Sequence, residues 1–178
     1  ADTLTGGDAG NRFYGLGGGD TIYGGAGADI LDGGDGDDAF HNVGVGDVIE
    51  GGNGNDRVYF DVAARTDDLT VDLSTGQGLV GAWTGIEQAG GVLGSGNDTV
   101  TAGANYLYLD GGIGTDSITL DYSSATDAWI QLTSAGNLYF QAHNNVVLAN
   151  FESFNITATN GADTLTGGDA GNRFYGLG

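Results

Sequence analysis

The chain contains no cysteine, no proline, no methionine and no lysine, and four arginines carry all of its permanent side-chain positive charge. The absence of cysteine excludes a disulfide scaffold, so small folding units in this chain need another means of stabilisation. Against the four arginines stand 24 acidic residues, and the net charge of −20 argues against nucleic acid or an anionic membrane surface as a partner. No run of about 18 apolar residues is present, so the sequence predicts no membrane insertion.

Glycine, in contrast, is abundant, with 37 residues in a chain of 178. A disordered linker would carry few apolar residues, whereas 39% of this chain is hydrophobic, including eight tyrosines and seven phenylalanines. The composition therefore indicates a folded chain. Its acidic side chains would repel each other in any compact state that does not bind cations.

The segment 1–17 (ADTLTGGDAGNRFYGLG) returns letter for letter as the segment 162–178, so that Ala162 repeats Ala1. This identity predicts one period of a longer tandem array, followed by the start of the next copy. Arrays of near-identical units serve length or multivalency more often than chemistry at one site. We therefore expect neighbouring copies of the repeat to be partners. End-to-end self-assembly into filaments is a second route, because the open ends of stacked strands expose their edges.

A nine-residue pattern organises most of the glycine and aspartate. Its clearest copies are residues 24–32 (GGAGADILD), 33–41 (GGDGDDAFH) and 51–59 (GGNGNDRVY), and looser copies surround them. Positions one to five are mostly glycine, which tolerates positive φ and allows a tight turn with several carbonyl groups pointing inward. Position six is aspartate, and carboxylate and carbonyl oxygens around a flexible loop suit Ca²⁺ better than Mg²⁺. Positions six to nine alternate, as expected of a short strand.

This pattern resembles the calcium-binding nonapeptide G-G-x-G-x-D-x-U-x of the RTX family, in which U is a large apolar residue. The resemblance implies an all-β fold, a parallel β-roll or β-solenoid with two nonapeptides per turn and several Ca²⁺ ions held between successive turns. Aspartates separated by two nonapeptides then stack on one side of the roll. The resemblance also implies export through a type I secretion channel in the unfolded state and folding in the calcium outside the cell.

The aspartates at position six are the candidate calcium ligands, together with carbonyl groups of the turns. The candidates are Asp2, Asp20, Asp29, Asp38, Asp47, Asp56, Asp98, Asp116 and Asp163, with the turn carbonyls near Gly24, Gly33, Gly51 and Gly111. Two positions are weaker, because Asn11 is neutral and Leu107 replaces the acid altogether. The apolar position eight is predicted to fill the core between two sheets, with Leu4, Phe13, Ile22, Leu31, Phe40, Ile49 and Val58.

The pattern divides the chain into five segments. Nonapeptide blocks occupy 1–59 and 93–119, β inserts occupy 60–92 and 120–159, and the start of the next copy occupies 160–178. The inserts are predicted to be hairpin-like, with turns at 74–76, 133–136 and 144–145. Each returns through a hydrophobic–Glu step, Ile86-Glu87 in the first and Phe151-Glu152 in the second.

The aromatic residues of the inserts leave two interpretations open. Large aromatics at alternating strand positions usually pack, so they are expected to cover a widened β core. Alternatively they form a surface that binds glycans. The residues concerned are Trp83, Trp129, Tyr139 and Phe140. His41 and His143 have no cysteine or second histidine at ligand spacing, and we expect them at the surface or at a strand edge.

No enzyme is expected, because G-x-S-x-G, H-E-x-x-H and a cysteine nucleophile are all missing from the sequence. The sequence predicts a calcium-dependent structural repeat of a secreted, extracellular fibre, sheath, surface layer or adhesin stalk. Two alternatives stay open. One is the calcium-binding export region of a type I-secreted toxin or hydrolase, and the other is a glycan-binding adhesin module.

Overall fold

A computed structural model describes residues 1–79, 81–103, 106–124, 129–132, 138–140, 147–161, 163–166 and 171–176. Within these residues every regular secondary-structure element is a β-strand, which confirms the predicted all-β fold. None of the described residues forms a helix that is long and apolar enough to cross a membrane. The strands are β1 (Thr3–Thr5), β2 (Arg12–Tyr14), β3 (Thr21–Tyr23), β4 (Ile30–Asp35), β5 (Ala39–Val43), β6 (Val48–Asn53), β7 (Arg57–Asp61), β8 (Thr70–Asp72), β9 (Ala82–Thr84), β10 (Gln88–Val92), β11 (Thr99–Ala102), β12 (Tyr106–Asp110), β13 (Ser117–Asp121), β14 (Trp129–Leu132), β15 (Leu138–Phe140), β16 (Val147–Ala149), β17 (Ser153–Thr157), β18 (Thr164–Thr166) and β19 (Gly171–Tyr175).

Ala1–Val62 and Asp72–Gly91 form one compact unit. Its strands alternate between two sheets, in the orders β1-β3-β5-β7-β10 and β2-β4-β6-β9. From β1 to β7 and from β2 to β6 the pairing is parallel and advances by two nonapeptides at each step, as from Leu4 to Ile22 and from Ile22 to Phe40. Each turn therefore takes two nonapeptides and places one strand in each sheet, which is the parallel β-roll that the resemblance to the RTX family implies.

Position eight of the nonapeptides supplies the core of this unit. Its inner-turn residues Ile22, Leu31, Phe40, Ile49 and Val58 are 0–1% exposed. Each such side chain contributes about 1.5–3 kcal/mol when fully buried. Leu4 and Phe13 are only partly buried, because β1 and β2 each have a neighbouring strand on one side only.

The first insert returns to the sheets after it breaks the nonapeptide spacing. An antiparallel bridge joins Asp72 and Gln77 around the turn predicted at 74–76. β9 then pairs in parallel with β6, and Trp83 lies opposite Ile49, although no whole number of nonapeptides separates the two. The insert thus adds strands to the unit in a register that the nonapeptide spacing does not give.

Ala63–Val71 and Val92–Gly178 form the second unit. One sheet has the order β19-β17-β13-β11-β8, and β12-β16-β15-β14-β18 are neighbours in the other. Val100 pairs with Ile118, two nonapeptides later, and Ile118 pairs with Phe154 at twice that spacing. β14, β15 and β16 are antiparallel, as expected of hairpins in the second insert. The turns predicted at 133–136 and 144–145, and His143, lie outside the described residues.

The repeated C-terminal segment stacks on strands that precede it. β18 pairs in parallel with β14, and β19 pairs in parallel with β17 at the spacing of two nonapeptides, with Phe174 opposite Ile156. The start of the second copy therefore continues the parallel stacking of its unit.

Candidate calcium sites

The position-six aspartates form hydrogen-bonded ladders along each side of the first unit. The main-chain N–H of Asp20 donates to Oδ1 of Asp38 at 2.7 Å, and that of Asp38 donates to Oδ1 of Asp56 at 2.8 Å. On the opposite side, the N–H of Asp29 donates to Oδ1 of Asp47 at 2.8 Å. Asp2 and Asn11 begin the two ladders by donating to the next aspartate in the same way. Each strand start therefore holds the carboxylate of the following turn in place.

The second unit contains a shorter ladder of the same kind. The N–H of Asp98 donates to Oδ1 of Asp116 at 2.7 Å, and the N–H of Leu69 donates to Oδ1 of Asp98 at 2.8 Å. Leu69 belongs to the first insert, so the ladder begins on a residue that is not part of a nonapeptide. Both aspartates are 1% exposed.

The other carboxylate oxygen of most of these aspartates has no protein partner. Six aspartates have a buried Oδ2 that accepts no hydrogen bond from any described residue. They are Asp20, Asp29, Asp38, Asp56, Asp98 and Asp116. A buried, ionised oxygen without a partner is strongly unfavourable, so such carboxylates are normally paired, protonated or bound to a cation. The ladders therefore fix one oxygen of each carboxylate and leave the other for an ion.

Turn carbonyl groups converge on these free oxygens. A Cβ built on Gly33 would lie 2.6 Å from the Gly51 carbonyl oxygen and would collide with Asp38 Oδ2. A Cβ built on Gly15 would lie 2.5 Å from Asp20 Oδ2 and would collide with the Gly33 carbonyl oxygen. Only glycine leaves this space open, and two oxygens from successive turns face it.

The same arrangement recurs on the opposite side and in the second unit. A Cβ on Gly24 would lie 2.9 Å from Asp29 Oδ2 and 3.3 Å from the Asn42 carbonyl oxygen. A Cβ on Gly111 would also lie 2.9 Å from Asp116 Oδ2. In the part of the chain that the structure describes, no three His, Cys, Asp or Glu side chains cluster as a metal site. The donor set is thus a carboxylate with backbone carbonyls, which fits Ca²⁺.

Burial raises the pKa of several ladder carboxyls. Desolvation is the largest cause for Asp38, Asp47, Asp56 and Asp116, and the charge of the neighbouring ladder aspartate adds to it. The effect is largest at Asp116, whose pKa is raised to about 6. The folded chain therefore resists ionising these groups unless a cation compensates.

The raised pKa values predict that acid stabilises the calcium-free fold. A carboxyl with a pKa of about 6 when folded and about 3.9 when unfolded binds its proton more tightly in the folded state. The cost of ionising this group in the folded state lowers the free energy of unfolding in full above pH 6. As the pH falls from 6 towards 4, this cost decreases by about 1.4 kcal/mol per pH unit for each such group. In calcium-free buffer, we expect more β-sheet circular dichroism at pH 5 than at pH 7.5.

The same protons compete with the ion, so the calcium concentration at half-maximal folding should rise as the pH falls. Asp116→Asn is the matched variant, and it should weaken the acid response of the calcium-free chain. A calcium-free chain that loses sheet signal between pH 7.5 and 5 would contradict this prediction.

Three of the predicted ligands differ from the others. Asp47 Oδ2 already accepts the Gly44 N–H at 2.7 Å. Asp2 is exposed, and Asp163 accepts the Thr159 hydroxyl at 2.7 Å. These three stay predictions without the free buried oxygen that marks the other six.

Trp83 and His41 do not belong to the aspartate ladders. Trp83 is 2% exposed, so its ring packs in the first unit and is not available to a glycan. The side chains of Trp129, Tyr139 and Phe140 lie outside the described part of the structure. His41 is half-buried on a strand and stacks between Tyr23 and Tyr59, with ring centroids 5.0 and 4.6 Å apart. Desolvation there lowers the His41 pKa.

Sequence reasoning missed two acidic residues that end the ladders. The last aspartate of each block donates its N–H to a glutamate of the following insert, Asp56 to Glu87 and Asp116 to Glu152. The sequence signal was the hydrophobic–Glu step at the end of each insert. That step marked the return of the insert but did not reveal the bond.

Comparison with known families also indicates calcium binding. Residues 5–40, 46–62 and 155–178 match the family model of the RTX calcium-binding nonapeptide repeat, HemolysinCabind, in four copies. No curated protein and no solved structure matches the chain. These repeats are calcium-binding, so the prediction that this chain binds several Ca²⁺ ions is confirmed. The second block at 93–119 lies outside the match but carries the same ladder bond between Asp98 and Asp116.

Proposed function

This chain carries RTX calcium-binding nonapeptide repeats, and on that premise we propose that it is a structural unit of a secreted, extracellular fibre, sheath, surface layer or adhesin stalk. Repeats of this family are typical of secreted bacterial proteins. The observation that carries the proposal is the ladder of buried aspartates whose free Oδ2 atoms face turn carbonyls. Such an array makes the fold depend on the ions that it binds.

The mechanism is a linkage between ion binding and folding. Without cations the stacked carboxylates repel each other, and the glycine-rich turns lose much conformational entropy when they become ordered. Bound calcium supplies the positive charge that offsets both terms, so its binding free energy becomes folding free energy. A chain built in this way stays unfolded where calcium is scarce and folds where it is plentiful. That property suits a protein that is exported before it folds.

A structural role, rather than catalysis, is supported by the arrangement of the acids. A carboxylate pair that works as acid and base needs two different environments that separate the two pKa values. Here the aspartates recur at one position of a repeat and make the same main-chain hydrogen bond in turn after turn. We propose neighbouring copies of the repeat as the principal partners, since β18 and β19 of the second copy already stack on earlier strands.

Electron microscopy of tandem chains tests the proposed fibre role. Chains of one, two and four copies of the period that runs from Ala1 to Gly161 would be imaged by negative stain in calcium. We expect particles whose length increases linearly with copy number, since stacked strands add about 4.8 Å per turn. Magnesium in place of calcium is the control and should yield no such particles. Folded particles whose length does not grow with copy number would contradict the fibre role and favour an export region.

A further inference from the structure

Each nonapeptide block ends where the next aspartate of the ladder is missing. In inner turns the aspartate N–H donates to the aspartate two nonapeptides later, as Asp38 does to Asp56. At the end of the first block, the N–H of Asp56 instead donates to Oε2 of Glu87 at 2.8 Å. At the end of the second block, the N–H of Asp116 donates to Oε2 of Glu152 at 2.7 Å. A glutamate from an insert thus occupies the ladder position in both units.

The residues two positions before the two glutamates share a backbone conformation. Gly85 and Asn150 both adopt the left-handed conformation, with φ of +60° and +56°. Both inserts therefore return through the same three-residue segment, which consists of a left-handed residue, a large apolar residue and glutamate. We call Gly85-Ile86-Glu87 and Asn150-Phe151-Glu152 the return segments.

The return segments also place a carbonyl oxygen where a nonapeptide turn would place one. A Cβ on Gly51 would lie 2.7 Å from Asp56 Oδ2 and would collide with the Gly85 carbonyl oxygen. A Cβ on Gly111 has the same two neighbours, Asp116 Oδ2 and the Asn150 carbonyl oxygen. The inner site beside Gly33 is built alike from Asp38 Oδ2 and the Gly51 carbonyl oxygen.

At both block ends the aspartate carboxylate is buried, and one of its oxygens has no hydrogen-bond partner among the described residues. Asp56 is 0% exposed and Asp116 is 1% exposed, and Oδ2 of each accepts no hydrogen bond from the described residues. The main-chain N–H of each aspartate lies against the glutamate carboxylate, at 2.8 Å for Asp56 and 2.7 Å for Asp116, so the two acidic residues of each pair are in direct contact.

We propose that each return segment completes a calcium site at the end of a nonapeptide block. The first site consists of Asp56, the Gly85 carbonyl and the Glu87 carboxylate, and the second of Asp116, the Asn150 carbonyl and the Glu152 carboxylate. The proposal rests on calcium binding by the nonapeptides and extends it to residues that belong to no nonapeptide. The two ions would tie each insert to the block before it, joining ligands that are 31 and 36 positions apart in sequence.

Counting the bound ions in glutamine variants of the full chain tests this assignment. Glu87→Gln and Glu152→Gln keep an oxygen that can accept the aspartate N–H but remove the charge. We expect each variant to bind one Ca²⁺ ion at least tenfold more weakly than the unaltered chain, because ligand charge sets calcium affinity. Glu50→Gln is the matched control, since Glu50 is exposed on β6 and should keep all ions at their original affinity.

Isothermal titration calorimetry gives the ion count, and circular dichroism shows in parallel whether each variant folds. If Glu87→Gln and Glu152→Gln fold and bind calcium as Glu50→Gln does, the glutamates are only hydrogen-bond acceptors and the proposal fails. If the unaltered chain itself binds no calcium, it is the calcium function that fails. Should a variant not fold, anomalous scattering from crystals of the unaltered chain with bound Tb³⁺ decides. An ion is expected beside Asp56 and Asp116, and its absence from both would overturn the assignment.

Discussion

Removing calcium at neutral pH is expected to abolish most of the β-sheet signal of this chain, and adding calcium back is expected to restore it in one cooperative transition. Far-UV circular dichroism during a calcium titration measures this. Magnesium should not substitute, because it requires stricter octahedral geometry and gives up its water reluctantly. The ladder ligands are instead a carboxylate oxygen and carbonyls of glycine-rich turns.

The size of the effect follows from the number of sites. An ion that binds only the folded state contributes about 2.7 kcal/mol when its concentration is 100 times the dissociation constant. Six aspartates have a buried Oδ2 that accepts no hydrogen bond from the described residues. Even if two aspartates share one ion, the sum is comparable with the total stability of about 5–15 kcal/mol that is usual for a domain. A sheet signal that survives complete removal of calcium at pH 7.5 would show that the ladders do not control folding.

The repeating part of the fold could be predicted because the resemblance to the RTX family implies two nonapeptides per turn, and that one spacing determines the strand pairing. That spacing places Ile22 beside Phe40, and it also places each ladder aspartate beside the next. The same rule would have predicted the aromatic stack, since Tyr23, His41 and Tyr59 occupy position nine in three successive turns. This stack was not predicted from the sequence, because His41 was not compared with the residues at position nine of the neighbouring turns.

The return of the first insert could not be predicted in the same way, because it does not fall at a multiple of the repeat. Trp83 pairs with Ile49 across a stretch of chain that is no whole number of nonapeptides, and nothing in the spacing gives that register. The ladder bond of Glu87 spans 31 positions and depends on that irregular return. The ladder bond of Glu152 spans 36 positions, a multiple of the repeat, but glutamate there replaces the aspartate of the pattern. The Gly44 N–H that occupies Asp47 Oδ2 is likewise a detail of one irregular turn. Periodicity specifies contacts between equivalent positions, and the contacts of Trp83, Glu87 and Gly44 join positions that are not equivalent.

The second large effect is expected from Gly33→Ala. Gly33 lies within β4 and has no left-handed φ, so the backbone there accepts alanine without strain. The new Cβ would nevertheless collide with Asp38 Oδ2 and lie 2.6 Å from the Gly51 carbonyl oxygen. Either the carboxylate leaves its position or the turn opens, and both outcomes remove the oxygens of that site. We expect the loss of one ion and a fall in the free energy of unfolding in calcium of about 3–5 kcal/mol, from overpacking and lost binding together.

Gly44→Ala is the control that makes this result specific. A Cβ on Gly44 meets nothing within 4 Å, its φ is not left-handed, and its N–H can still donate to Asp47. Alanine there should leave stability unchanged or raise it by up to about 1 kcal/mol, because it restricts the unfolded chain. Urea denaturation at saturating calcium compares the two variants. If Gly33→Ala proves as stable as Gly44→Ala and keeps every ion, the space beside Gly33 does not hold calcium, since the Cβ would already fill it.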